Sequence, residues 1–252
     1  MKKTYFSNRK IVVCGSIIES YTYHDKNIGH GFKKPPKPKP KEPPDDQNGP
    51  SKPRSEEADR INSSRAKKGC RRLINTNADI LTKFVTLTYA ENQTDVNQAN
   101  RDFKNFIHRL KTWLEEHHPG HDLAYVAVIE FQKRGAVHYH VLFNLPFIRN
   151  KSLRDIWGHG FVKITKIDKV TNVGAYVVKY MTKDERDERL WGKKMYFTSR
   201  NLEKPFEFTK KEEIQQIEET LLAGRSPVYA KTHLSEYLGL MTYEQYNLKV
   251  KK

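Results

Sequence analysis

Cysteine is scarce: Cys14 and Cys70 are the two in a chain of 252 residues. They form no Cys-x-x-Cys pair and no knuckle spacing, so a disulfide scaffold and a zinc module are not expected, and a reduced, cytoplasmic setting is. No apolar run approaches the roughly 18 residues of a membrane span, and no signal-peptide core is visible. No Gly-rich loop runs into Gly-Lys-Ser or Gly-Lys-Thr, so no ATP-driven motor is encoded. Acidic charge is also short. The 30 Asp and Glu stand against 46 Lys and Arg and leave a net charge of +16, which points to a polyanionic partner. With 37% apolar and 11% aromatic residues the chain still has the means to build a core.

Composition shifts sharply along the chain. Residues 11–23 are β-branched and aromatic and predict one or two strands. Eight of the 12 prolines then fall between Pro35 and Pro53, interleaved with lysines, so residues 33–58 read as a solvated, polyproline-like linker. The division expected is 1–32, 33–58 and a main domain over 59–252. Residues 65–72 read Arg-Ala-Lys-Lys-Gly-Cys-Arg-Arg. Arg65, Lys67, Lys68, Arg71 and Arg72 are either phosphate contacts or a solvated helix face.

From residue 83 the pattern becomes regular. Phe84–Tyr89 predicts a strand, and Thr94 an N-cap with Asp95 behind it. Val96, Ala99, Phe103, Phe106, Ile107, Leu110 and Leu114 recur at three- and four-residue steps, one buried helical stripe that ends at Pro119-Gly120. Ala124–Phe131, Val137–Phe143 and Phe161–Ile167 predict strands. Ser152–Trp157, Asn172–Lys183 and Thr209–Leu222 predict helices, and Val228–Tyr246 a hairpin around Gly239. The fold class expected is α+β, helices packed on a central, mostly antiparallel sheet.

His138-Tyr139-His140 lies inside one predicted strand. Alternation puts both imidazoles on one face, about 7 Å apart, where they can converge on one ion. If Lys133-Arg134-Gly135 is a three-residue hairpin loop with Gly135 left-handed, Gln132 pairs with Ala136 and Glu130 stands opposite His138. A two-residue Arg134-Gly135 turn would send Glu130 to the other face instead. Two His and a carboxylate leave positions open for water and substrate.

On a helix over Val173–Lys183, Tyr176, Lys179, Tyr180 and Lys183 share one face, while Val173, Val177 and Met181 anchor it. A phenol is a weak nucleophile near pH 7 because its pKa is about 10. A neighbouring cation favours the phenolate, which can attack phosphorus. The alternative is two tyrosines covering a core edge beside solvated lysines.

Phe84-Val-Thr-Leu-Thr-Tyr89, Glu130, His138-Tyr139-His140 and Tyr176-Val-Val-Lys179-Tyr180, in this order, resemble the three motifs of the HUH endonuclease superfamily. The likeness is to rolling-circle replication initiators of small plasmids, phages and integrative elements, and it covers about residues 80–185. It implies Mg²⁺ or Mn²⁺ held by His138, His140 and Glu130. It also implies attack by Tyr176 on single-stranded or hairpin origin DNA, leaving a 5′-phosphotyrosine and a 3′-OH primer. Lys179 would contact the phosphate, Tyr180 would be a second tyrosine, and Thr86 and Thr88 would be structural. A host helicase would open the duplex in trans. Other readings are a mobilisation relaxase or tyrosine transposase of the same chemistry, or a basic DNA-binding regulator without catalysis.

Other clusters are weaker. His117, His118 and His121 suit a solvated helix end. Phe197–Pro205 reads either as a groove lining or as a plain strand-to-loop segment. Residues 1–72 hold 18 basic and 8 acidic side chains, so the N-terminal part is expected to supply DNA affinity, and trimming residues 1–60 to weaken binding alone.

Overall fold

The computed structural model describes residues 5–30, 56–182, 188–190 and 193–250. In chain order its elements are β1 (Tyr5–Ser7), β2 (Arg9–Cys14), β3 (Ile17–Tyr23), β4 (Ile28–His30), α1 (Glu56–Thr76), β5 (Lys83–Tyr89), α2 (Val96–His117), β6 (Tyr125–Phe131), β7 (Val137–Phe143), α3 (Asn150–Trp157), β8 (Gly160–Lys166) and α4 (Val173–Thr182). A 3₁₀ turn (Glu188–Leu190), β9 (Tyr196–Thr198), β10 (Phe206–Phe208), α5 (Lys211–Ile217), a π turn (Glu218–Leu222), β11 (Tyr229–Ser235) and β12 (Gly239–Asn247) follow. The fold is α+β. Most of the Pro/Lys segment, and Lys183, lie outside the described residues.

The chain divides into two units. The larger holds residues 14–17 and 60–205 and is built on a five-stranded sheet in the order β8-β5-β7-β6-β9, all neighbours antiparallel. On one face α2 and α3 bury Phe103, Phe106, Leu110, Leu153 and Trp157 against Val85, Leu87, Tyr139, Val141 and Phe143. The whole stripe expected on α2, Val96 to Leu114, is buried. On the other face α1 and α4 bring Cys70, Ile74, Val173, Val177 and Met181 onto Phe84, Val126, Val128 and Leu142. The central strand β7 is thus covered on both sides, the setting in which a continuous apolar run is stable.

One expected cap is corrected. Asp95, not Thr94, is the N-cap of α2: its φ of −75° and ψ of 106° are extended, and its side chain accepts from Asn97 N at 2.8 Å. A carboxylate at this position both satisfies an orphan donor and meets the positive end of the helix dipole.

The smaller unit holds residues 1–13, 18–59 and 206–252. Its five-stranded sheet has the order β10-β2-β3-β12-β11, with a two-stranded β1-β4 sheet beside it in the same unit. Ile11 and Ile18 pack with Ile214, Ile217 and Leu222. The N-terminal strands and the C-terminal hairpin therefore share one sheet.

Candidate metal centre and tyrosine helix

The β6–β7 hairpin sets the geometry. Gly135 has φ +86°, Gln132 N donates to Ala136 O at 2.9 Å, and Glu130 pairs with His138. This is the three-residue-loop register. Only a residue tolerant of positive φ closes such a loop without strain, which is why Gly135 selects the face Glu130 occupies.

Glu130 and His140 are buried, at 8% and 5% exposure, and His138 is half-buried. Their ligand-capable atoms all lie within 4.8 Å of one another. His140 Nε2 stands 2.5 Å from Glu130 Oε2, a diagonal contact across the strand pair. On the other side β5 sets Thr88 opposite His138 and Thr86 opposite His140. Thr88 Oγ1 is 2.8 Å from His138 Nε2, and Thr86 Oγ1 is 3.4 Å from His140 Nδ1. A ligating imidazole needs one nitrogen for the ion and a partner that fixes the other, and both threonines are placed to be that partner. The donor set, two nitrogens and a carboxylate, suits a divalent cation with open positions. The group can hold a metal ion.

Helix α4 brings the tyrosines to this centre. Asn172 caps it: its Oδ1 accepts from Ala175 N at 3.0 Å. The C-terminal end of α1 grips the same turn. Asn75 Oδ1 accepts from Gly174 N at 2.7 Å, and Asn75 Nδ2 donates to Asn172 Oδ1 at 3.0 Å. A Cβ on Gly174 would sit 2.8 Å from Asn75 Oδ1, so the close approach of the two helices requires glycine here.

From that anchor Tyr176 and Tyr180 point at the sheet. The Tyr180 ring stacks on His140 with centroids 3.8 Å apart, and its hydroxyl donates to Tyr176 Oη at 3.3 Å. Phe84 lies beneath both: it stacks on His140 at 5.5 Å and meets Tyr176 edge-on at 5.5 Å. Burial, then the bond to Tyr176 and the Glu130 charge, push the Tyr180 phenol well above the ordinary tyrosine range. Lys179 is exposed, with its Nζ 4.1 Å from the Tyr176 ring centroid.

The structure thus brings together Glu130, His138, His140, Tyr176, Lys179 and Tyr180. The basic run lies elsewhere, on α1, with Arg65 and Lys68 exposed and Lys67, Arg71 and Arg72 half-buried. Burial lowers the Lys67 pKa. His117 bonds to Trp113 O at 2.9 Å, and among the described residues the histidines after α2 form no metal group. Phe84, Asn75, Asn172 and Gly174 were not singled out from the sequence as site residues. Asn172 two residues before a glycine at a helix start was the legible signal, an N-cap type at a helix boundary.

No curated protein and no solved structure matches the chain. Residues 82–185 match the family model of the replication-associated protein ORF2. The match begins at β5 and includes all of α4, so it contains Glu130, both histidines and both tyrosines, a similarity consistent with a Rep protein and suggestive of a replication initiator.

Proposed function

We propose that the chain is a rolling-circle replication initiator of the HUH type, which nicks and rejoins single-stranded DNA through a tyrosine. The observation that carries this reading is the Tyr180 ring stacked on His140 with its hydroxyl on Tyr176, two phenols at a group fit for a metal. The match over residues 82–185 supports it.

Glu130, His138 and His140 would hold Mg²⁺ or Mn²⁺, which supplies the positive charge that polarises a scissile phosphate. Tyr176 Oη attacks phosphorus and loses its proton to solvent. The phosphorus–O3′ bond breaks, and the O3′ takes a proton and leaves as a free 3′-OH. The 5′ side stays as a phosphodiester on Tyr176. Attack by a 3′-OH reverses the step and restores the phenol, so no energy source is needed. Lys179, beside the Tyr176 ring, meets the phosphate charge. Tyr180 makes the second cut while Tyr176 remains linked. Origin DNA in single-stranded or hairpin form, a helicase in trans and a cytoplasmic setting complete the reading. Among the described residues no helix is long and apolar enough to cross a membrane.

Mn²⁺ and labelled hairpin or single-stranded oligonucleotides test it. Wild type is expected to form a covalent protein–DNA adduct, and Tyr176→Phe to form none. An adduct that survives Tyr176→Phe but not Tyr180→Phe reverses the two roles. No adduct from wild type with any genomic single strand leaves a non-catalytic DNA-binding regulator. Cleavage that survives loss of both His138 and His140 sinks the metal assignment.

A further inference from the structure

The sheet face that carries Glu130, His138 and His140 continues across β5 to the edge strand β8. Thr88 pairs with His138 on one side and Phe161 on the other, and Thr86 pairs with His140 and Lys163. Residues directly opposite share a face. Phe161 and Lys163 therefore stand in the same two rows as the metal group, two strands or about 10 Å away. Helix α4 lies against β6, and the β8 end of the face is open. Phe161 is 65% exposed and Lys163 is exposed, whereas the alternate residues Val162 and Ile164 pack on the core. Packing gives no reason for phenylalanine at position 161.

Its placement is nonetheless rigid. Gly160 has φ +144°, and a Cβ there would come within 2.6 Å of Thr88 O, so β8 starts hard against β5. Trp157 Nε1 donates to Thr88 O at 3.2 Å, and Asn150 Nδ2 donates to Val162 O at 3.1 Å on the same edge strand.

We propose that Phe161 and Lys163 form a single-stranded DNA subsite beside the metal group, in which Phe161 stacks a base and Lys163 meets a backbone phosphate. This rests on the function proposed above. The occupant is a single strand because a duplex hides its base faces, and an aromatic with a cation at strand spacing matches alternating base and phosphate. The face is also continuous with the residues proposed to hold the scissile phosphate.

The test compares a labelled oligothymidylate with an abasic backbone of equal length, by anisotropy in EDTA. Wild type is expected to prefer the base-bearing strand by about tenfold, Phe161→Ala to lose most of that preference, and Phe161→Trp to keep it. Lys163→Gln is expected to weaken both ligands and to reduce the slope of log K against log salt by about 0.7. Both side chains are exposed, so unchanged melting temperatures accompany these effects. A preference absent in wild type, or undiminished in Phe161→Ala, overturns the subsite. Mn²⁺-dependent adduct formation by wild type is scored in parallel. An adduct with no base preference removes the subsite and leaves nicking, while base preference without an adduct removes nicking and leaves the subsite.

Discussion

His140 shows how much one side chain's role depends on its neighbours. It faces Glu130 through one ring nitrogen and Thr86 through the other, with Phe84 and Tyr180 stacked on its ring. The pair His138 and His140, and Glu130 opposite, were readable from strand alternation and one hairpin loop. Phe84 was not, because stacking across a strand pair depends on three dimensions rather than on period. Thr88 is the sharpest residue to change. Thr88→Val keeps the volume and removes the oxygen 2.8 Å from His138 Nε2. Loss of such an outer partner typically weakens a metal site 10–100-fold. Calorimetry should find Mn²⁺ binding weakened by about that factor. Glu130→Gln should abolish the Mn²⁺-induced rise in melting temperature, since a neutral amide replaces the one anionic ligand. Wild-type affinity in Thr88→Val would mean that the threonine only fills space.

At the scale of elements, the strands and the α2 stripe were legible because burial imposes simple periods: two for a strand and near 3.6 for a helix. The grip of α1 on α4 was not, since residues 75 and 172 have no sequence relation. That grip orients the tyrosine helix. Asn75→Ala leaves the buried Gly174 N–H without its acceptor, a loss of about 1–3 kcal/mol. For a chain of this size that corresponds to roughly 2–12 °C in melting temperature. Adduct formation should slow while Mn²⁺ affinity stays unchanged, because the metal group sits on β6 and β7 alone. Slowed adduct formation with equally weakened Mn²⁺ binding would instead point to general loosening of the unit.

For the whole molecule, buried phenols set a limit at high pH. Burial raises the pKa of Tyr89 and Tyr139 in the folded state. Their neutral forms therefore favour folding below the unfolded value near 10, and that stability is lost as pH rises past it. Thermal stability should fall from about pH 10 upward, and less steeply in Tyr139→Phe, which has one fewer buried phenol to ionise.

The charge of +16 operates at the same scale, and the structure changes how it must be tested. Trimming residues 1–60 cannot isolate DNA affinity, because β2 and β3 sit in the middle of a five-stranded sheet and would be removed with it. The basic run on α1 can be neutralised without touching that sheet. Arg65 and Lys68 are exposed, and Arg65→Gln with Lys68→Gln removes two charges from the surface. If each meets a phosphate of a single strand, the slope of log K against log salt falls by about 0.7 per residue, close to 1.4 for the pair. Adduct formation at saturating oligonucleotide should stay at the wild-type rate, since neither residue lies in the Glu130–His138–His140 group. An unchanged slope would make this a solvated helix face and move the source of DNA affinity elsewhere in the chain. A normal slope change with a lost adduct would place α1 in the reaction itself, through its hold on α4.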